Sequence, residues 1–571
     1  MAETRQNALG EFAAVMLGIA AFFVFAGWWV LIPTNLAWLG MNDRAMHTLG
    51  WMFYRDAPWQ WPPGASPGLG LELANSIALV DSLPLIAMPL KLFSAWLPRP
   101  FQYWGYWWVV CFMLQGLFSY RLARAFGATA AIAFCAAGFA LITPAFFFRL
   151  SLHMALAGHW LILAALWLYA REQAPRWWTW PLLMLVTAGT HIYLLVMVAP
   201  IWLAAILSRW LTGRDRLAPL ACELVLGLGG AVLMLYLGGA FIGLGSGEID
   251  GYGAYRLNLL FPVIDYGVWS KLMPRVPHDT FDYEGISFFG IGIFAALLLA
   301  FLSRATKPIN AMLSRRWAPL TILIFLFFVF ALSNQIGFAD YGFAPIPIPG
   351  FVRAIGNMFR STGRFVWPLL YIVTIGTVVL VGRRFGDRWA VPFFVIAFAA
   401  QVYDSSDGWT IFRNTMSPPP ATSWPTAWSS PFWERAGEAG FERLRGIPVR
   451  YRHRDWLPAE TFAYRYGLET DMIYLGRVDE REVAALAARE NEAITTGNFD
   501  DKTLYILNYA AARRIAPHVQ PDDLFAVVQD RFVFARHAAF LVDGLGISAQ
   551  GALTAPPWVP DDVARSAGLP Y

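Results

Sequence analysis

The sequence predicts a mainly α-helical, polytopic membrane domain followed by a C-terminal soluble α/β domain, and three observations carry that expectation. Of the 571 residues, 57% are hydrophobic and only 14% charged, mean hydropathy is +0.47, and 27 Trp stand beside 44 Phe. A soluble domain this apolar would expose patches that aggregate, so the composition belongs to the membrane class. Apolar runs also recur at a sufficient length, because about 20 residues rising roughly 1.5 Å each cross a hydrocarbon core of roughly 30 Å. After Asp404 the apolar runs shorten to strand length and charges rise, as a water-facing domain requires.

Taken in order, spans are read near 11–32, 101–122, 128–147, 154–170, 177–189, 191–208, 217–242, 286–303, 317–333, 365–381 and 389–403, about eleven in all. The first follows a single Arg and exceeds the roughly 7 to 15 apolar residues of a cleaved signal, so it reads as an uncleaved span. The pair within 177–208 reads either as two short helices meeting at Gly189-Thr190-His191 or as one long tilted helix. Loop charge favours two helices. Arg121 and Arg124, Arg171 and Arg176, Arg209, Arg214 and Arg216, Arg304, Lys307, Arg315 and Arg316, and Arg383, Arg384 and Arg388 then all fall on the cytoplasmic side. The N-terminus lies inside, and everything beyond about Tyr403 lies outside. The division is a multi-span domain over 1–403 and an extracytoplasmic domain over 404–571.

Three long outer connections remain, 33–100, 243–285 and 334–364, all rich in aromatics, Gly and Pro. Long loops on a rigid scaffold are where function concentrates. The first holds a second apolar stretch, Ile77 to Leu97, broken by Asp81, Pro84, Pro89 and Lys91, which reads as a helix in or dipping into the interface. In the C-terminal part, the acidic turn from Asp479 predicts a helix start, and Leu504–Leu507 and Leu524–Val528 read as strands. There is no internal repeat and no low-complexity segment.

The net charge of +4 is spread over short loops without a Lys/Arg block, which speaks against a nucleic-acid partner. Cys111, Cys135 and Cys222 sit inside apolar runs, so neither a disulfide framework nor a CxxC metal site is present.

Asp43 and His47 are four residues apart and share a face on a helix, with Tyr54 about three turns on from Asp43. Asp43 reads either as a base that takes a proton from an acceptor hydroxyl or as an interfacial helix cap. Arg149, His153 and His159 form the next cluster. His153 could orient or protonate a substrate or bind a metal, or it is a hydrogen-bonded structural histidine; no HxxxH or HExxH pattern points to metal. His191 carries the same alternatives. Loop 243–285 carries Glu248, Asp250, Tyr252, Tyr255, Arg256, Lys271, Arg275, His278 and Glu284, a mixture that suits sugar hydroxyls and equally a solvated loop. Arg360 and Arg364, in Phe359-Arg360-Ser361-Thr362-Gly363-Arg364 before a span, read as a phosphate or pyrophosphate clamp or as two snorkelling arginines.

An acid after the first span, a long outer loop with a broken apolar stretch, a span ending in Arg121-Leu122-Ala123-Arg124-Ala125-Phe126-Gly127 and another ending near Thr143-Pro144 resemble the GT-C class of polyprenyl-phosphate-sugar-dependent glycosyltransferases. The likeness covers the layout of the first seven or so spans. Gly50-Trp51-Met52-Phe53-Tyr54-Arg55, Asp81-Ser82-Leu83-Pro84, Tyr283-Glu284-Gly285 and the segment from Phe359 resemble, over most of the chain, a bacterial membrane-protein family with no assigned activity. The GT-C resemblance implies that Asp43 is the catalytic base. Many members carry a second acid near the fourth span, where this chain has His153; Asp81 and Glu284 are the candidates to substitute, and a divalent metal there is left open.

Two functions follow as expectations. One is an inverting glycosyltransferase at the outer face, in which a polyprenyl-phosphate sugar rests its phosphate on Arg360 and Arg364 and Asp43 activates a glycan or lipid acceptor. His47 and His153 join the catalytic set, with Asp81, His191, Arg256, Tyr283 and Glu284 on the substrates. The other is a transporter or flippase of a lipid-linked or polar solute, which mid-span charges and broken helices would favour. A sensor or scaffold using the outer domain also stays open.

Overall fold

A computed structural model describes residues 2–40, 42–173, 175–243, 251–304, 312–450, 452–476 and 478–547; Glu248, Asp250 and Lys307 lie outside the described residues. The chain divides into two compact units. Unit one takes Met1–Gly40, Pro98–Met234 and Glu248–Thr422; unit two takes Met41–Leu97, Leu235–Gly247 and Ser423–Tyr571.

Unit one is helical apart from a two-residue hairpin, β1 (Gly337–Phe338) and β2 (Tyr341–Gly342). Local chemistry sets its helix ends. Thr129 accepts the Ile132 amide at 3.2 Å to start Ala130–Leu141, and Pro144 opens Pro144–Ser151, a first-turn position where its missing N–H costs nothing. The doubtful pair is two helices, Thr179–Ala188 and Ile192–Leu211, broken at Gly189-Thr190-His191. His191 caps the second through Nδ1, which accepts the Tyr193 amide at 3.0 Å.

Among the described residues four helices are long and apolar enough to cross a membrane: Asn7–Phe25, Ile192–Leu211, Leu217–Leu237 and Thr362–Phe385. A fifth span arises if Ala130–Leu141 and Pro144–Ser151, bent by 42° at the Thr143–Pro144 break, count as one. The chain therefore has the helices of a membrane protein, but fewer of spanning length than the eleven expected. The other apolar runs make shorter helices, Met154–Ala170, Thr179–Ala188, Ile291–Leu302 and Ala318–Leu332, because Gly, Pro and His interrupt them. Two groups of buried polar side chains are paired: Tyr371 Oη accepts from Gln115 at 2.8 Å and meets His159 Nδ1 at 2.7 Å, while Glu223 accepts from Trp202 and Arg209 at 2.8 and 2.6 Å.

Unit two is built on a five-stranded sheet of β3 (Arg443–Ile447), β4 (Glu469–Thr470), β5 (Thr503–Leu507), β6 (Leu524–Val528) and β7 (Arg531–Ala535), in the order β4-β3-β5-β7-β6. β3 is parallel to β4 and β5, and β7 is antiparallel to both β5 and β6. The expected strands are β5 and β6. β5 is buried at every residue, as its unbroken apolar run implies for a central strand. The expected helix is Glu480–Thr496, and Asp479 accepts the Arg481 amide at 2.9 Å. Ile494, Phe499, Ile515, Phe525, Phe532 and Phe534 form the core.

Residues 41–97 belong to this same unit. The Gly70 amide donates to Thr470 O at 2.7 Å, the Thr470 amide donates to Gly68 O at 3.0 Å, and Glu72 pairs with Arg445 of β3 at 2.7 Å. Of the stretch Ile77 to Leu97 only Pro84–Lys91 is α-helical, shorter than expected because Asp81 and Leu83 take left-handed backbone immediately before it.

Candidate active site

Each unit carries its own set of ionisable groups. In unit two the Asn42–Asp56 helix carries Asp43 in its first turn and His47 one turn on, as the four-residue spacing implies. Asp43 is half-buried and His47 fully buried. Asp81 stands opposite, its Oδ2 3.9 Å from His47 Nε2, an ion-pair distance rather than a hydrogen bond.

What brings Asp81 there is legible in two of the motifs. Gly50 has no room for a Cβ, which would collide with Val80 and Ser82, so the Val80–Ser82 turn lies directly on the helix. Ser82 Oγ then donates to His47 O at 2.7 Å. Asp81 and Leu83 both hold φ of +51°, a conformation costly for non-glycine residues that is found where the surrounding structure enforces it, often at functional sites.

Lys91 joins this unit from the Pro84–Lys91 helix. It is 5% exposed, its Nζ lies 4.0 Å from the Tyr54 ring centre and 4.7 Å from that of Trp59, and Nζ has no hydrogen-bond partner among the described residues. Burial lowers its pKa to about 8, against the upward pull of Asp56. Tyr54, pushed upward by burial, donates its hydroxyl to Pro63 O at 2.9 Å. In sequence Lys91 reads only as a break in an apolar stretch; its signal is an ionisable residue where the neighbours are apolar.

In unit one the other two motifs meet. Gly285 and Gly363 face each other, and a Cβ on Gly363 would lie 2.7 Å from Gly285 Cα and 2.9 Å from Arg256 O. The Gly363 amide donates to Tyr255 O at 3.0 Å. Glu284 is thereby set between two guanidiniums: its Oε2 lies 2.8 Å from Arg149 Nη1 and 2.8 Å from Arg364 Nε, while Oε1 lies 3.8 Å from His153 Nε2. Arg149 Nη2 also donates to Glu284 O at 3.2 Å, and Arg149 Nε has no hydrogen-bond partner among the described residues. Burial by itself would push the Glu284 carboxyl up, but Arg149 and Arg364 together hold it well below the usual carboxylate range. Two guanidiniums against one carboxylate leave this buried set with an excess of positive charge.

Aromatic rings line it. The Arg364 guanidinium lies 4.5 Å from the Tyr193 ring, Tyr193 Oη accepts the Ser361 amide at 3.2 Å, and Tyr283 packs edge-on to Phe148 and Tyr255 at 5.9 and 5.8 Å. Arg360 is placed apart from the Glu284 ion set, 5.9 Å from the Tyr255 ring. Arg256 pairs with Asp279 and Asp282, each at 3.4 Å. Within unit one the structure brings together His153, Tyr283, Glu284 and Arg364, and within unit two His47 and Asp81. In sequence Arg149 stands only within a histidine cluster, and nothing in its local sequence announces its partner 135 residues away. For a divalent ion, His47 and Asp81 are groups of the acid–base set whose ligand atoms lie close together.

The fold and these sites define a helical membrane protein with a C-terminal α/β domain and clusters of buried ionisable groups. The chain matches the family described as Domain of unknown function (DUF6311) over residues 15–406 and the DUF6311 C-terminal domain over residues 432–536. It belongs to the DUF6311 family. No curated protein matches it.

Proposed function

We propose that this protein is a membrane glycosyltransferase of the GT-C class that moves a sugar from a polyprenyl-phosphate donor to a glycan or lipid acceptor at the outer face of a bacterial inner membrane. The observation that carries the reading is the acid–base set of unit two, Asp43 and His47 on one helix face with Asp81 held opposite by Gly50 and Ser82. Asp43 takes the proton of the acceptor hydroxyl, whose oxygen attacks the anomeric carbon. The bond from that carbon to the phosphate oxygen breaks, and the electron pair leaves on the lipid phosphate. Phosphate is a good leaving group, so the protein has mainly to position the reactants and stabilise charge. His47 and Asp81 position the helix face that carries Asp43.

Within unit one, the guanidiniums of Arg149 and Arg364 with the rings of Tyr193 and Tyr283 suit a lipid-linked phosphate, and the proposal takes them as donor-binding residues. Arg360 remains a further phosphate contact, and His153, His191 and Arg256 belong to the substrate-facing residues. With this reading go the eleven-span topology, a cytoplasmic N-terminus and an extracytoplasmic C-terminal domain.

One observation favours the second reading, a transporter or flippase. The 42° break at Thr143–Pro144 lies just ahead of the buried Arg149, and broken helices with buried charge are what solute pathways use. Incubating the purified full-length protein in nanodiscs with a panel of polyprenyl-phosphate sugars separates the two. Release of free polyprenyl phosphate supports transfer; no release, with movement of a lipid-linked sugar across liposomes, supports transport.

A further inference from the structure

The C-terminal sheet carries a second place for a ligand, one that does not depend on the glycosyltransferase reading. The chain runs β3 to β4 on one side of β3 and then crosses to β5 on its other side. In open α/β sheets the connections leaving two such strands part in opposite directions, and ligands bind in the crevice this opens at the carboxyl ends. A cavity of about 360 Å³ lies at that place, lined by Ile447 and Pro448 after β3 and by Leu507 and Asn508 after β5. β6 runs parallel to β5, because β7 is antiparallel to both, so the β6–β7 turn reaches the same edge. That two-residue turn, Gln529 and Asp530 with φ of +47° and +63°, delivers Asp530 and Arg531 to the lining.

The remaining lining residues decide the ligand class. Arg450, His453, Arg454 and Arg531 face the cavity with Asp455 and Asp530. Arg531 is held by Asp455 through bonds of 2.9 and 2.8 Å, which fixes its guanidinium. Counted over the lining, three guanidiniums stand against two carboxylates. Gln529 is tied through its side chain to Trp433 Nε1 at 2.8 Å and to the Ser430 amide at 3.1 Å, so the turn is braced from behind. Guanidiniums in a fork geometry take phosphate oxygens, while Asp530 and Asn508 offer partners for hydroxyls. We propose that this cleft binds a phosphorylated sugar of about monosaccharide size, its phosphate on Arg450 and Arg454 and its hydroxyls on Asp530 and Asn508.

The test is titration calorimetry on the full-length protein in detergent, with α-D-glucose 1-phosphate, glucose and inorganic phosphate as probes. Glucose 1-phosphate is expected to bind at least tenfold more tightly than either other probe. Arg450→Gln/Arg454→Gln is expected to weaken it at least tenfold. Arg454→Gln alone changes an exposed side chain, is expected to leave Tm unchanged, and is expected to weaken binding at least threefold. Lys502→Gln removes a positive charge before β5, at the opposite edge of the sheet, and is expected to leave binding unchanged. Failure of wild type to bind glucose 1-phosphate, equal binding of glucose or phosphate, or unchanged binding in the arginine variants would overturn the assignment.

Discussion

Replacing Glu284 by Gln isolates the buried ion set of unit one. Glu284 is 4% exposed, and the side chains of Arg149 and Arg364 are 0% and 5% exposed at contacts of 2.8 Å. The amide keeps the shape and one acceptor but removes the charge, leaving two like charges buried together. Stranding a buried partner costs about 3–5 kcal/mol, and an amide oxygen still accepting from a charged donor returns about 1.5–3 kcal/mol. The net loss is about 2 kcal/mol, which for a large domain lowers Tm by about 4 °C. The assay is thermal unfolding of the full-length protein in detergent, read in a cycle with Arg364→Gln. The double variant is expected to lose less than the sum of the two singles. Because Glu284 is held below its ordinary range, its contribution is present above the unfolded value and lost only as pH falls through the lower folded value. The Tm gap between wild type and Glu284→Gln is therefore constant from neutral pH to about pH 5 and narrows in stronger acid. A Glu284→Gln protein within about 1 °C of wild type at neutral pH, or strictly additive singles, would refute the reasoning.

Gly363→Ala forces a Cβ to 2.7 Å from Gly285 Cα, backbone against backbone, and is expected to cost about 1–3 kcal/mol, seen as a lowered Tm. Ser82→Ala removes the 2.7 Å bond to His47 O and is expected to cost about 1 kcal/mol in the same assay. In unit two, burial raises Asp471 to about 6 despite Arg445 and the Gly446 amide. A raised acid favours the folded state fully below its unfolded value and loses that contribution as pH rises through the folded value. In urea unfolding of the full-length protein, the stability difference between wild type and Asp471→Asn is therefore expected to change by about 3 kcal/mol between roughly pH 4 and pH 6, wild type losing the contribution as pH rises.

Much of the architecture was legible because single-element chemistry determines it. The acidic cap at Asp479, the unbroken apolar run of β5 and the Gly189-Thr190-His191 break each produced the expected element. The spacing of Asp43 and His47 placed both on one helix. Span counting was less secure, because length depends on where a helix breaks, and Pro144, Gly158 and Gly189 cut apolar runs into pieces shorter than a bilayer. The motif pairs are the instructive case. Gly50 with Ser82, and Gly285 with Gly363, meet because no Cβ intervenes, and a glycine in a chain does not name the backbone it will touch. For the same reason Arg364, which reads in sequence as the twin of Arg360, is committed to Glu284 while Arg360 stands over Tyr255. Residues 68–72 likewise read as part of a membrane-domain loop, and only the bonds to Thr470 and Arg445 place them on the sheet.

The central claim is the transferase reading with Asp43 as base. The most direct measurement is the rate of polyprenyl-phosphate release from a consumed donor, in the presence of acceptor, by wild type and by Asp43→Asn of equal Tm. The account expects release by wild type and a loss of about 10²–10⁴-fold in the variant, the usual contribution of a positioned base. A variant as fast as wild type would make Asp43 a helix cap, and a wild type that consumes no donor would contradict the claim.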